Sequence, residues 1–370
     1  MGWTRREALA GAGAAWLALA ARPAPAMVRR PPLPESMGLG FDLTPQAVRA
    51  PGSLDDYRVL RGQAWGAALI ARATHVRFWV DWPIVQPDPR HSLADPANPG
   101  QPNLVALDGQ VDAAVADGLK VILLPYRYPF WVNGERRHFH TRSPEWRMPD
   151  SGHGPYSPWA EFVEALWTRY AGRMAYFEVV NEPNLQIWPQ RGVAERVAWM
   201  VATVDAVARR HGFAATCLAP SVADAESRDV PELITPGPRF TAALLDALDR
   251  RSFAGGDHWI WSFHNYNDAE QGGDRVGALR AQLRRRWRGR RADDGGPLVY
   301  ATEGGVRLSA VSGRAEQARM LAGVIARYER APGIGLFTQY TVCADPGYDC
   351  GLRDSDGAPR PAFDTFVTSM

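Results

Sequence analysis

From residue 37 onward the chain alternates short apolar runs with amphipathic helical stretches, eight of each, and this alternation restricts the fold more than any other feature. A parallel strand pair needs a long crossover, and a helix supplies it, so repeated strand-helix units build a parallel sheet. The apolar runs are Met37–Leu43, Thr74–Val80, Lys120–Tyr126, Ala175–Asn181, Ala215–Pro220, His258–Asn265, Leu298–Glu303 and Ile334–Thr341. Helices are expected at 54–72, 107–117, 157–171, 192–211, 238–251, 273–288, 313–330 and 361–369. Gly118, Gly172, Gly212, Gly296 and Gly333 are placed to end the helix before the next strand. No Gly-rich dinucleotide turn follows the first strand, so the pattern fits a closed (β/α)8 TIM barrel of one domain better than an open doubly wound sheet.

Ahead of that pattern, Thr4-Arg5-Arg6-Glu7 is followed by an Ala/Leu/Trp-rich run through Ala21 and by Ala24-Pro25-Ala26. Paired arginines, an apolar core and a small-residue cleavage site predict a cleaved export signal of the twin-arginine type over 1–26. The alternative is an N-terminal membrane anchor, for which the apolar run is short. Residues 27–36 read as a Pro-rich tether and 37–370 as the domain proper. After processing, no membrane span is expected, and the chain would be secreted or held at the bacterial cell envelope. A formal charge of +2 gives no global electrostatic reason to expect nucleic acid. The run Arg284 to Arg291 reads as a solvated helix end, or as a contact for an anionic polysaccharide or cell surface. Cys343 and Cys350 share a Gly/Pro/Asp-rich loop where an oxidising exterior would join them in a disulfide, with two thiols as the alternative, and Cys217 should be a buried thiol. No Cys/His set has metal-ligand spacing, and no metal or other cofactor is expected.

Two strands end in glutamate. Phe177-Glu178-Val179-Val180 runs into Asn181-Glu182-Pro183-Asn184, where proline stops the ladder, and Leu298-Val299-Tyr300-Ala301-Thr302 runs into Glu303-Gly304-Gly305. A carboxylate at the end of a buried strand is sheltered enough to be tuned and open enough to meet a substrate. In a (β/α)8 barrel such ends share one face, where sites are built. One carboxyl to protonate a departing oxygen and a second to attack carbon or activate water are the needs of glycosidic hydrolysis. Glu182, in an apolar setting, suits the proton donor. Glu303 should be kept ionised by Arg77 and Tyr266, which also fall at strand ends. Glu178, three residues before Asn181, reads instead as an inward salt-bridge partner.

The insertions at about 81–106 and 126–156 carry aromatic and polar residues. Trp79, Trp82, Tyr126, Tyr128, Trp131, Trp146 and Trp188 offer flat apolar faces beside hydrogen-bonding groups, which together suit sugar rings. Trp79, Tyr126, Trp131, Trp188 and Tyr340, with Asp81 at the end of the second strand, are candidate substrate contacts.

His75-Val76-Arg77-Phe78, Asn181-Glu182-Pro183, His264-Asn265-Tyr266 and Thr302-Glu303 occur in the order of clan A of the retaining glycoside hydrolases, which the chain resembles over most of the barrel. The resemblance implies that Glu182 is the acid/base and Glu303 the nucleophile. It also implies that Asn181 binds the sugar 2-hydroxyl, that Arg77 and Tyr266 orient Glu303, and that His264 meets substrate or the acid/base. Asn181 to Leu185 with Trp188 looks most like family 39, and the second strand looks like the family 5 cellulases. Family 5 members usually have histidine at the end of the third strand and tryptophan at the end of the eighth. Here those regions read Pro125-Tyr126-Arg127 and Phe337-Thr338-Gln339-Tyr340. The expected function is retaining hydrolysis of an oligo- or polysaccharide, with a transglycosylase or a non-catalytic carbohydrate-binding barrel as alternatives.

Overall fold

The computed structural model describes residues 37–43, 54, 56–133, 148–149, 157–185, 192–225 and 235–369. Residues 1–36 lie outside these, so the export signal and tether do too, as do Trp146 and Trp188. No helix among the described residues is long and apolar enough to cross a membrane.

The strands are β1 (Gly38–Leu43), β2 (His75–Asp81), β3 (Lys120–Tyr126), β4 (Met174–Glu178), β5 (Thr216–Leu218), β6 (Val222–Ala223), β7 (Trp259–His264), β8 (Val299–Gly304) and β9 (Ile334–Gln339). Pairing is parallel throughout, in the order β5-β4-β3-β2-β1-β9-β8-β7-β6, and β5 also pairs with β7, which closes the sheet. The result is the expected (β/α)8 barrel, with its fifth strand in two pieces. Pro220 has no N–H to give, and the break falls there: Ala219 still donates to Ile260, whereas Ser221 turns to the carbonyl of Val180.

Helices follow the strands as the apolar spacing predicts. The outer ring includes α1 (Tyr57–Gly62), α2 (Ala64–Ile70), α4 (Gln101–Ala116), α5 (Pro158–Arg169), α6 (Val193–Arg210), α7 (Gly237–Arg250), α9 (Arg275–Leu283), α10 (Arg314–Arg330) and α11 (Pro361–Thr368). Short α3 (Trp82–Val85) and α8 (Tyr266–Gln271) sit directly on strand ends. The first expected helix is divided at Gln63, and before β8 the left-handed glycine is Gly295 (φ 73°) rather than Gly296.

The core has two parts. A large cluster fills the space between sheet and helices, while Ile122, Tyr176, Leu218, Ile260, Leu298, Tyr300 and Leu336 plug the barrel itself. Inward positions nearer the strands' C-terminal ends carry charge instead: Asp42, Arg77 and Glu178 are all fully buried. Such a layer is tolerable only where every group finds a partner.

Candidate active site

Arg77 organises the site because β2 aims it across the barrel. Its Nε donates to Glu178 Oε2 at 2.7 Å, its Nη1 to Asp42 Oδ2 at 2.6 Å and to Glu303 Oε2 at 2.7 Å, and its Nη2 to Asn181 Oδ1 at 2.8 Å. Glu178 is therefore an internal partner, further held by the hydroxyls of Thr302 at 2.7 Å and Ser262 at 3.3 Å. Glu303, on β8, also accepts from the Tyr266 hydroxyl at 2.7 Å. Burial alone would raise its pKa, but nearby His264 and Arg77 and the hydroxyl of Tyr266 outweigh that and hold Glu303 below the usual carboxylate value.

Glu182 lies just beyond the end of β4. The strand ends at Glu178, Asn181 bridges to Ser221, and the Glu182 amide donates to the Ser221 carbonyl at 2.9 Å. Glu182 itself sits at φ 41°, a left-handed conformation that costs a non-glycine residue about 1–2 kcal/mol and recurs where function demands it. His264, at the end of β7, places Nδ1 2.7 Å from Glu182 Oε1 and 3.7 Å from Glu303 Oε1. One oxygen of each glutamate and a His264 ring nitrogen all fall within 4.8 Å of one another. Such a trio is close enough to close around a cation, a grouping that no spacing in the sequence suggested, although hydrogen bonds within the protein already engage all three side chains.

These groups open into a cavity of about 370 Å³. Trp79 and Tyr126 border it as one edge-on pair, ring centroids 4.4 Å apart, and Tyr266, Tyr340 and Tyr348 border it as a second aromatic group. Asn181, Glu182 and Glu303 also face it.

Two expected substrate contacts lie away from the cavity, and an expected disulfide is not formed. Asp81 is fully buried and gripped by Arg127, whose Nη2 meets both carboxylate oxygens at 2.7 and 2.6 Å, so it braces β2 against β3 rather than lining the cavity. Trp131 packs edge-on against Trp82 at 5.8 Å, in an aromatic cluster with Tyr128 and with Trp159 of α5. The expected Cys343–Cys350 bridge is not formed, and both are buried thiols, as is Cys217. Cys343 neighbours Arg353, whereas Cys350 sits behind Gly305 near Tyr266 and Glu303, so the two side chains serve different faces of one loop.

The sequence reading missed Asp42, Arg307 and Tyr348. Asp42 left a signal, an acid inside an otherwise apolar strand. Arg307 and Tyr348 left none, since Arg307 follows β8 in an irregular segment and reaches Tyr348, at 5.1 Å from its ring, only through the fold.

Residues 68–329 match the family model of cellulase, glycosyl hydrolase family 5. The chain belongs to that family. It is a glycoside hydrolase, and of the two families its motifs resemble, family 5 is the one it joins rather than family 39. No curated protein matches it. Among solved structures it is similar to GH5_18 from Streptomyces cattleya in complex with GlcNAc, at 18% identity and a TM-score of 0.61, covering 90% of this chain and 79% of that one. Xylanase 10B from Thermotoga maritima gives 14% identity and a TM-score of 0.56, with 90% and 94% covered. A glucosidase from Croceicoccus marinus gives 16% and 0.60, with 91% and 67% covered. At these identities the likeness is one of fold.

Proposed function

We propose that this family 5 enzyme is an exported retaining glycosidase acting on an oligo- or polysaccharide by double displacement, with Glu303 as nucleophile and Glu182 as acid/base. One observation carries the reading: carboxylate oxygens of Glu182 and Glu303 approach within 4.8 Å, which suits direct attack by one carboxylate, since inversion needs a separation of about 6.5–9.5 Å to seat a water.

In the first step a Glu303 oxygen bonds to the anomeric carbon, the bond to the leaving oxygen breaks, and Glu182 gives that oxygen its proton. In the second, Glu182 takes a proton from water, the water oxygen bonds to the anomeric carbon, and the ester to Glu303 breaks. Arg77 and Tyr266 keep Glu303 charged and aimed, and His264 orients Glu182. Asn181, held by Arg77, presents its amide to the sugar.

The test uses aryl glucosides, mannosides and xylosides, followed by two variants. Glu303→Ala loses turnover for every leaving group. Glu182→Ala still forms the glycosyl enzyme from an activated aryl glycoside, then stalls until azide, which needs no base, releases a glycosyl azide of unchanged anomeric configuration. Full activity in both variants would end the reading, and the reverse pattern would exchange the roles.

A further inference from the structure

Three buried carboxyls, Asp42, Glu178 and Glu303, converge on the single guanidinium of Arg77. One cation cannot compensate three buried anions, and the usual resolution is that the carboxyl with the least support keeps its proton. Support is unequal here. Glu178 accepts from Arg77 Nε and from the Thr302 and Ser262 hydroxyls. Glu303 accepts from Arg77 Nη1 and the Tyr266 hydroxyl, with His264 Nδ1 at 3.7 Å. Among the described residues Asp42 has only Arg77 Nη1 at 2.6 Å and the indole N–H of Trp79 at 2.6 Å.

The geometry is more pointed than the count. Asp42 and Glu303 accept from the same nitrogen, Arg77 Nη1, so whatever charge Asp42 draws from it is lost to Glu303. We infer that Asp42 is a positioning residue that stays protonated while Glu303 is ionised, leaving the charge of Arg77 Nη1 to Glu303 and fixing the guanidinium against the Trp79 wall of the cavity. A protonated carboxyl keeps acceptor capacity, so both N–H contacts to Asp42 survive in this state. The guanidinium stacks 4.9 Å from the Trp79 ring, which completes the clamp.

The charged and titratable groups facing Asp42 are Arg77 from β2, Glu303 from β8 and Tyr340 at the end of β9, with Glu178 and His264 beyond them. Burial, helped by the charge of Glu303 and opposed by Arg77, pushes Asp42 up to about 8, in keeping with the structural argument.

This inference rests on Glu303 being the nucleophile only for its purpose; the protonation itself is measured separately. Infrared spectra of the full chain, recorded in an Asp224→Asn, Glu182→Gln background because Asp224 is another buried acid pushed up to about 7 and Glu182, as proton donor, would carry a proton of its own, should show the carbonyl stretch of a protonated carboxyl near neutral pH. The band should vanish in Asp42→Asn. In Glu303→Gln, where the repelling charge is gone, it should titrate at lower pH. Melting temperatures give a second measure: a folded-state acid raised from 3.8 to about 8 contributes stability below 3.8 that is lost as pH climbs to about 8, so Asp42→Asn should gain on the parent across that window. If Asp42→Asn fails to fold, the Glu303→Gln spectra decide. No band near neutral pH, a band that survives Asp42→Asn, or a titration indifferent to Glu303→Gln each overturns the inference. Turnover persisting in Glu303→Ala would instead remove the nucleophile reading and leave these spectra untouched.

Discussion

His264 holds Glu182 by a 2.7 Å contact between Nδ1 and Oε1, from a fully buried ring whose Nε2 has no partner among the described residues. A short contact of this kind helps to fix the carboxyl's direction. Burial disfavours the charged imidazole, but the carboxylates of Glu303 and Glu182 prevail and raise the His264 pKa above its ordinary 6.5. A raised folded-state value means stability that is present below 6.5 and lost as pH climbs through the higher value. The melting-temperature gap between the parent and His264→Gln should therefore be widest in mild acid and close in alkali. A gap that widens with pH would contradict this account of the pair.

Tyr266 supplies one of the donors that keep Glu303 ionised. In Tyr266→Phe the Glu303 pKa should rise, moving the acid limb of kcat/KM to higher pH and lowering its maximum about 10- to 100-fold, or about 1.4–2.8 kcal/mol. Steady-state profiles on an aryl glycoside check both. An acid limb that stays in place would show that the hydroxyl does not tune Glu303.

Removing Arg77 strands buried carboxyls. Arg77→Gln should cost about 3–5 kcal/mol of stability, read from urea midpoints, in addition to its effect on rate. A variant as stable as the parent would mean that the acids already hold protons without it.

Asp81 separates bracing from binding. Asp81→Ala leaves Arg127 without its bidentate partner, so stability should fall by about 3 kcal/mol while KM changes little. A large rise in KM with an unchanged melting temperature would restore Asp81 to the cleft.

The barrel was legible because apolar runs and glycine stops repeat, and β3 occupies its expected range, Lys120–Tyr126. The positions of Glu182 and Glu303 beside strand ends were legible because Pro183 and Gly304-Gly305 follow them in plain view, although β4 stops at Glu178, earlier than the expected Asn181. Partners that the fold brings together from afar were harder. Asp81 and Arg127 are 46 residues apart, and nothing local says that a strand-end acid is already engaged. Trp79 and Trp131 are alike in sequence, yet one borders the cavity and the other packs on Trp82, because loop direction decides and periodicity does not record it. Asp42 was overlooked since its meaning depends on Arg77 standing opposite it in register.

The nucleophile assignment is tested most directly by trapping. Each of the dinitrophenyl 2-deoxy-2-fluoro glycosides of glucose, mannose and xylose is incubated with the enzyme, which is then digested and sequenced by mass spectrometry. The expected result is one fluorosugar esterified to Glu303 by the derivative whose sugar the enzyme accepts, with the label absent in Glu303→Ala. A label on Glu182, or hydrolysis with inverted anomeric configuration and no label on any residue, would contradict the account.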